Sequence, residues 1–131
     1  MTCLIDTNIL LWFLFAPEKI KKSAREILER EETIVFASSI SLWEISLKFS
    51  LGKLQVKEEV MERIIPTIEE SGVVVLNPQP QLFASFYKLP RLHKDPFDRL
   101  IVWQAINYNL TLITADKNLA VYQNFGLRII C

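Results

Sequence analysis

Five short apolar segments, separated by helical patterns, constrain the fold of this chain more than any other feature. They cover residues 2–5, 33–37, 73–76, 111–114 and 128–131. An unbroken apolar strand, without alternating polar residues, is typical of a parallel sheet that is covered on both faces. The segments between them carry apolar residues at helical spacing. This alternation predicts a three-layer α/β fold, with a five-stranded parallel sheet flanked by helices.

Local signals predict where several elements begin and end. Asp95 followed by Pro96 is an N-cap followed by proline at the first helical position, which predicts the start of a helix. Residues 56–70 carry apolar side chains on one helical face, so we expect one helix with a kink at Pro66. The apolar run at 73–76 predicts a strand with both faces buried.

Length and composition limit the class of protein. A chain of 131 residues is expected to form one domain, which we place at residues 1–131. Lys and Arg balance Asp and Glu at 15 each, so binding of nucleic acid must depend on local basic groups. The apolar run at 9–15 is too short to span a bilayer, and Asp6 and Asn8 stand where a signal peptide needs a basic start. We therefore expect a cytoplasmic protein without a membrane anchor.

Four acidic residues lie near the carboxyl ends of the predicted strands. Asp6 and Asp116 each follow a strand, and parallel strands end at the same edge of their sheet, so both side chains should enter one crevice. Glu44 lies in the helix after the second strand, and Asp98 lies in the first turn of its helix. Both can lean over the same crevice. The pattern therefore predicts an acidic site at this edge.

Carboxylates this close together repel one another, by about 4 kcal/mol per pair at roughly 4 Å and an effective dielectric near 20. A cation between them relieves the repulsion, and hard ions such as Mg²⁺ or Mn²⁺ prefer carboxylate oxygen. The absence of nearby His and Cys argues against zinc. His93 is the only histidine, which excludes mechanisms that need a histidine pair. A bound ion can activate water and stabilise charge on a phosphodiester.

Each acid also has a structural interpretation. Asp6, Asp95 and Asp116 stand where they can cap a helix, and Asp98 stands in a first turn, where an acid favours the helix dipole. Taken singly, these positions are more typical of helix caps than of an active site. Glu44 is the acid least suited to capping, and it lies among apolar residues, so its carboxylate needs a partner.

The ordered set of motifs around these acids resembles PIN-domain proteins of the VapC toxin type. The matching segments are Cys3-Leu-Ile-Asp6-Thr-Asn8, Ser41-Leu-Trp-Glu44-Ile, Leu51-Gly-Lys-Leu54, His93-Lys-Asp-Pro-Phe-Asp98-Arg-Leu-Ile101 and Leu112-Ile-Thr-Ala-Asp116. They run almost from end to end of the chain, and the set is specific although each motif alone is weak. The resemblance implies a PIN-like fold and Mg²⁺- or Mn²⁺-dependent endonucleolytic cleavage of RNA.

The resemblance assigns candidate roles residue by residue. The acidic quartet of the family, which implies the catalytic and metal-binding residues, is matched by Asp6, Glu44, Asp98 and Asp116. Thr114 matches a hydroxyl position that supports the acids, and Asn8 matches the small polar residue after the first acid. Asp95 is interpreted as a helix cap, and His93 as a capping or packing residue before its helix.

The resemblance also implies protein and RNA partners. Members of this family commonly form homodimers, and they usually act as toxins that a small antitoxin holds inactive by covering the active site. The segment at 11–15 and the cluster of Phe49, Leu51 and Leu54 carry more apolar surface than one small core needs, which suits a partner groove. Core packing is the alternative interpretation of each of these residues. Contacts to RNA phosphate are predicted for Arg99, Lys117, Lys94 and Lys48.

Other acidic α/β proteins fit the sequence less well. A receiver-type phosphorylation domain should carry an acceptor aspartate after its third strand, where this chain has Asn77 and Pro78. An aspartyl phosphatase needs a second acid two residues after the first, where this chain has Asn8. Two alternatives stay open: a solitary RNA-processing PIN nuclease, and a PIN-like scaffold that binds RNA or protein without cutting. A neighbouring antitoxin gene argues against the first, and cleavage activity excludes the second.

Overall fold

A parallel β-sheet lies at the centre of the molecule. The structure is a computed structural model that describes residues 1–131. Its strands are β1 (Thr2–Ile5), β2 (Ile34–Ser38), β3 (Val74–Leu76), β4 (Thr111–Ile113) and β5 (Arg128–Ile130). They run parallel in the order β3-β2-β1-β4-β5, which confirms the predicted five-stranded parallel sheet. From β1 the chain continues to β2 and β3 on one side of the sheet, and β4 and β5 then add to the other side. Parallel sheets bind ligands at the point where the order of the strands reverses in this way.

Helices connect the strands and cover the sheet. The α-helices are α1 (Thr7–Phe15), α2 (Lys22–Glu29), α3 (Ser39–Ser50), α4 (Glu58–Glu62), α5 (Ile64–Glu70), α6 (Pro80–Ser85) and α7 (Pro96–Asn107). Three 3₁₀ helices cover Pro17–Lys19, Phe86–Lys88 and Lys117–Phe125. None of the helices is long and apolar enough to cross a bilayer.

The central strand has a core on each side, as the apolar strands predict. In β1, Cys3 and Ile5 belong to one cluster of buried apolar residues, and Leu4 between them belongs to the other. Successive side chains of a strand point to opposite faces, so the two clusters are the cores above and below the sheet. Helices α1, α2 and α5 contribute to the first core, and α7 with the last 3₁₀ helix contributes to the second. This arrangement confirms the predicted three layers.

The third strand is less buried than its apolar sequence predicts. β3 lies at the edge of the sheet and pairs only with β2. Val74 is 49% exposed, and Val75 and Leu76 are only partly buried. Val75 packs against the first core and Leu76 against the second, so the expectation that both faces are buried is wrong at Val74, which is left half exposed at the edge of the sheet.

The region predicted as one kinked helix is two short helices. α4 ends at Glu62, and α5 begins at Ile64 after a turn at Arg63, whose backbone angles (φ −104°, ψ 12°) are not helical. Pro66 divides the predicted helix instead of kinking it: a proline ring clashes with the carbonyl four residues before it, which here belongs to Glu62, the last residue of α4. The break leaves Pro66 in the first turn of α5, where a missing N–H costs no hydrogen bond.

Candidate active site

The four acids of the predicted quartet lie near the carboxyl ends of the adjacent strands β1 and β4. Asp6 directly follows β1, and Asp116 lies three residues after its neighbour β4. Glu44 lies in α3, and Asp98 lies in the first turn of α7. Asp6 is 5% exposed and Glu44 is 3% exposed, whereas Asp98 and Asp116 are partly buried. The fold thus brings together acids that are far apart in sequence.

Three aspartates of this region also cap helices. Asp6 Oδ1 accepts a hydrogen bond from the Ile9 backbone N–H (2.9 Å), and Asp116 Oδ1 accepts one from the Asn118 backbone N–H (2.9 Å). Asp95 Oδ1 caps α7 in the same way at 2.8 Å, which confirms its predicted capping role. Asp6 and Asp116 can cap a helix and also belong to the acidic cluster. In each, one carboxylate oxygen caps the helix, and the other bonds to a side chain of the site.

Thr114 joins the two acids that follow strands. Its hydroxyl donates a hydrogen bond to Asp6 Oδ2 and accepts one from the Asp116 backbone N–H (3.0 Å). Thr114 is 2% exposed, so little water competes for these bonds. A hydrogen bond donated to a carboxylate favours its charged form. Thr114 therefore lies where the resemblance predicts a supporting hydroxyl.

Glu44 has polar partners for both of its carboxylate oxygens. The Thr7 hydroxyl donates to Oε1 (2.6 Å) and also lies 2.8 Å from the Ser41 hydroxyl, while the Lys48 ammonium lies 2.5 Å from Oε2. Partial burial lowers the pKa of Lys48, but its hydrogen bond and attraction to Glu44 outweigh burial and raise the pKa. Lys48, predicted to contact phosphate, is therefore already paired with an acid.

His93 lies beside the acids, which the sequence analysis did not predict. Its Nε2 is 2.9 Å from Asp116 Oδ2, and its Nδ1 accepts a hydrogen bond from the Asp95 backbone N–H (3.1 Å). Because Nδ1 is an acceptor, the proton of the neutral ring sits on Nε2, which donates to Asp116. The ring therefore caps the segment before α7, as predicted, and also orients an acid. The premise that no histidine lies near the acids is wrong, because His93 reaches Asp116 across 23 positions of sequence.

Burial and mutual repulsion favour the protonated form of two acids. Burial is the main cause that raises the pKa of Asp6 to about 6, and the charges of Glu44 and Asp116 raise it further against its hydrogen bonds. Burial also raises the pKa of Asp98 to about 7, with repulsion from Asp95 and two members of the quartet. Without a cation, these carboxylates oppose one another's ionisation.

The donor atoms fit a hard divalent cation. His93, Asp98 and Asp116 each present one possible ligand atom, and these atoms lie within 4.8 Å of one another. The charges of Asp6 and Glu44 also act on Asp98, so the oxygen donors of the quartet share one region. Since His93 Nε2 carries the ring proton in this arrangement, it is a hydrogen-bond donor, and the donor set is dominated by carboxylate oxygen.

The other residues predicted for substrate binding differ in accessibility. Lys94 and Lys117 are exposed and form no ion pair with an acid of the chain. Arg99 is 8% exposed, and its guanidinium carbon lies 4.8 Å from the centre of the Phe86 ring. A phosphate contact from Arg99 requires the side chain to leave this packing, so the two lysines are better placed. Asn8 is exposed in α1, and its supporting role stays a prediction.

Sequence reasoning missed three polar residues of the site, namely Thr7, Ser41 and His93. Ser41 lies three residues before Glu44 on α3, so the two side chains share a helix face, and this spacing is a usable signal. Thr7 directly follows the first acid. His93 meets Asp116 only because the segment before α7 packs against the last 3₁₀ helix, and no local pattern predicts that contact.

Solved structures share this fold over almost the whole chain. A chain of VapBC2 from Rickettsia felis, bound to a DNA fragment from their promoter, is 20% identical with a TM-score of 0.71, and the match covers 99% of this chain and 98% of that one. A chain of VapBC-1 from nontypeable Haemophilus influenzae is 22% identical with a TM-score of 0.69, and the match covers 99% and 97% of the two chains. At these identities the likeness shows the fold alone.

Comparison of sequences identifies the family of the chain. Ribonuclease VapC22 from Mycobacterium tuberculosis is 25% identical over 124 residues, which make up 94% of this chain and 93% of that protein. The family model of the PIN domain matches residues 3–124, a range that runs from β1 to the last 3₁₀ helix and includes all four acids. The chain therefore belongs to the PIN-domain family.

Proposed function

We propose that this protein is a metal-dependent endoribonuclease of the VapC toxin type that acts on RNA in the cytoplasm. The observation that carries the proposal is the meeting of four carboxylates beside β1 and β4, where burial and repulsion raise the pKa of Asp6 to about 6 and that of Asp98 to about 7. Acids with strongly shifted pKa values are found most often at functional sites. The match to Ribonuclease VapC22 supports the same activity in this chain.

The proposed catalytic and metal-binding residues are Asp6, Glu44, Asp98 and Asp116. Mg²⁺ or Mn²⁺ bound among them supplies charge stabilisation at the phosphodiester and lowers the pKa of a water molecule. Thr114 donates to Asp6 Oδ2, and His93 lies 2.9 Å from Asp116 Oδ2, so the orientation of both acids is set in advance. Lys48, 2.5 Å from Glu44 Oε2, helps to hold that oxygen in place.

RNA must approach a pocket that is itself acidic, so cations at its rim are needed to hold the phosphates. Lys94 and Lys117 are exposed and unpaired beside the quartet, and we assign phosphate contacts to them. Arg99 contributes only if it leaves the Phe86 ring. Asn8, exposed two residues after Asp6, supports the acidic centre.

We also propose an antitoxin partner and a homodimer. The structures that share this fold include VapBC and FitAB assemblies, which supports a protein partner here. Phe15 is 46% exposed and Leu51 is 59% exposed, so the predicted groove keeps apolar surface to cover. Residues 11–14 and Leu54 are partly buried against the first core, so core packing accounts for part of this set. Sedimentation of the purified chain, alone and with the product of a neighbouring gene, tests both associations.

The function is tested with purified, partner-free protein and a fluorescent structured RNA, in Mg²⁺ or Mn²⁺ and in excess EDTA. We expect cleavage with metal and none with EDTA. Asp6→Asn keeps the oxygen that caps α1 but removes a charge from the quartet. We expect it to lose more activity than the roughly 10–100-fold that is typical for residues outside a ligand set.

Glu69→Gln is the matched control, because Glu69 is an exposed acid of α5 outside the quartet. It should cleave as the unaltered protein does. If several RNAs stay intact and neither ion raises the melting temperature, the chain is a binding scaffold and the proposal is wrong. Cleavage by a chain that has no antitoxin gene beside it favours a solitary RNA-processing nuclease.

A further inference from the structure

A cavity opens beside the quartet, next to His93. It has a volume of about 450 Å³ and is lined by Leu92, His93, Lys94, Asn118 and Val121. This volume lies within the roughly 300–1,000 Å³ range that is common for small-ligand sites. His93 lines the cavity and also lies 2.9 Å from Asp116 Oδ2. One side chain therefore connects the cavity to the proposed site of cleavage.

The two walls of the cavity are fixed to each other by Tyr122. Its hydroxyl accepts hydrogen bonds from the backbone N–H groups of Leu92 (3.0 Å) and His93 (3.1 Å), and it donates one to the Pro90 carbonyl (2.9 Å). Tyr122 is fully buried in the last 3₁₀ helix. The segment before α7 and this helix are thus joined below the cavity. Its shape is set before a ligand arrives, which lowers the entropic cost of binding.

The lining combines apolar walls with two polar side chains, those of Lys94 and Asn118, that have no partner inside the protein. Leu92 is 52% exposed and Val121 is 44% exposed, so both offer apolar surface to a ligand. Asn118 uses its backbone N–H for the cap at Asp116, which leaves its side-chain amide available as both donor and acceptor. Lys94 forms no ion pair with the chain. A ligand that suits this lining has a flat apolar face, a hydrogen-bonding edge and a negative charge.

We propose that this cavity is a nucleotide subsite that holds the base next to the cleaved phosphodiester. The proposal rests on the proposed nuclease function and adds a source of sequence preference to it. The base lies between Leu92 and Val121, the Asn118 amide reads its edge, and Lys94 contacts the attached phosphate. Unstacked bases in single-stranded RNA are recognised through contacts to their faces and hydrogen bonds to their edges.

The test is cleavage of a pool of short RNAs of random sequence, with the ends of the products sequenced. We expect the unaltered protein to prefer one base at a position next to the cut. Asn118→Ala should reduce that preference about tenfold, because the hydrogen bonds from the amide to the base edge are lost. Val121→Trp, which fills the cavity from its apolar side, should also reduce the preference. Asn124→Ala is the matched control, since Asn124 is exposed on the same 3₁₀ helix but does not line the cavity.

The outcomes separate this proposal from the function on which it rests. If the protein cleaves RNA and both cavity variants keep the preference of the control, the subsite is wrong and the nuclease stands. If the protein cleaves no RNA, the subsite is tested by titration with each of the four 5′-ribonucleoside monophosphates. Binding is then detected as changes in the amide chemical shifts of the protein. Shifts centred on Lys94, Asn118 and Val121 then support the subsite, and their absence with all four nucleotides overturns it.

Discussion

Thr114 couples two acids of the quartet through one hydroxyl, which bonds to the side chain of Asp6 and to the backbone of Asp116. Thr114→Val keeps the shape of the side chain but removes both bonds. We expect Mn²⁺ to bind roughly 10–100-fold more weakly, as is typical when a group that orients a metal ligand is lost. Isothermal titration calorimetry measures this affinity directly.

Thr111→Val is the control for this change, because Thr111 is the first residue of β4, whereas Thr114 directly follows the last one. It should bind Mn²⁺ as the unaltered protein does. Equal affinities in both valine variants would contradict the supporting role of Thr114.

At this scale the sequence predicts the acids better than their neighbours. Asp6, Asp95 and Asp116 carry local signals, because each stands between an apparent strand or loop and the start of a helix. The contact of His93 with Asp116 depends on side-chain placement in the folded chain, whereas Lys48 lies four residues after Glu44 on α3, a spacing that the sequence does show. Arg99 shows the same limit: its guanidinium packs on Phe86, in a contact between two elements that local sequence does not encode.

The last 3₁₀ helix is joined to the segment before α7 by the hydrogen bonds of one side chain, Tyr122. Tyr122 bonds to three backbone groups of the segment before α7. Tyr122→Phe leaves these partly buried groups without their partner, so we expect the free energy of unfolding to fall by about 1–3 kcal/mol. Urea denaturation followed by circular dichroism gives the difference.

Tyr87→Phe removes a hydroxyl from a side chain that is 80% exposed. It should leave the free energy of unfolding unchanged. A loss of the same size in both variants would mean that the Tyr122 hydroxyl does not tie these elements together.

The order of strands and helices along the chain was easier to predict than the position and burial of each element in the fold. Apolar runs and cap signals predict five strands and the helices between them, because both depend on neighbouring residues. The position of β3 at the edge of the sheet depends on strand order, which no single segment contains. The break at Arg63 does have a local cause in Pro66, but the sequence alone does not show whether a proline bends a helix or divides it.

For the whole molecule, the acidic site makes stability depend on pH. The folded protein raises the pKa of Asp6 to about 6 and that of Asp98 to about 7, whereas the unfolded chain releases both protons near the ordinary carboxyl pKa. From that value up to about pH 7, the folded state holds more protons, so its stability falls as pH rises. We expect the metal-free protein to melt at a lower temperature at pH 8 than at pH 5.

Asp98→Asn removes one of the two groups, so its melting temperature should fall less between these pH values. Glu69→Gln should keep the full dependence. Saturating Mg²⁺ or Mn²⁺ should raise the melting temperature most at pH 8, because a cation binds the ionised acids. A melting temperature that falls equally in both variants would contradict the contribution of Asp98.

The bond from Thr114 to Asp6 joins residues 108 positions apart, and it forms only when β4 has docked beside β1. A polypeptide still emerging from the ribosome possesses Asp6 and Glu44 long before it possesses Asp98 and Asp116. The acidic quartet, and with it the metal binding and cleavage that we propose, is therefore complete only late in synthesis, when the last strands join the sheet. Under the proposed function, a growing chain lacks the complete quartet and so leaves intact the messenger that encodes it.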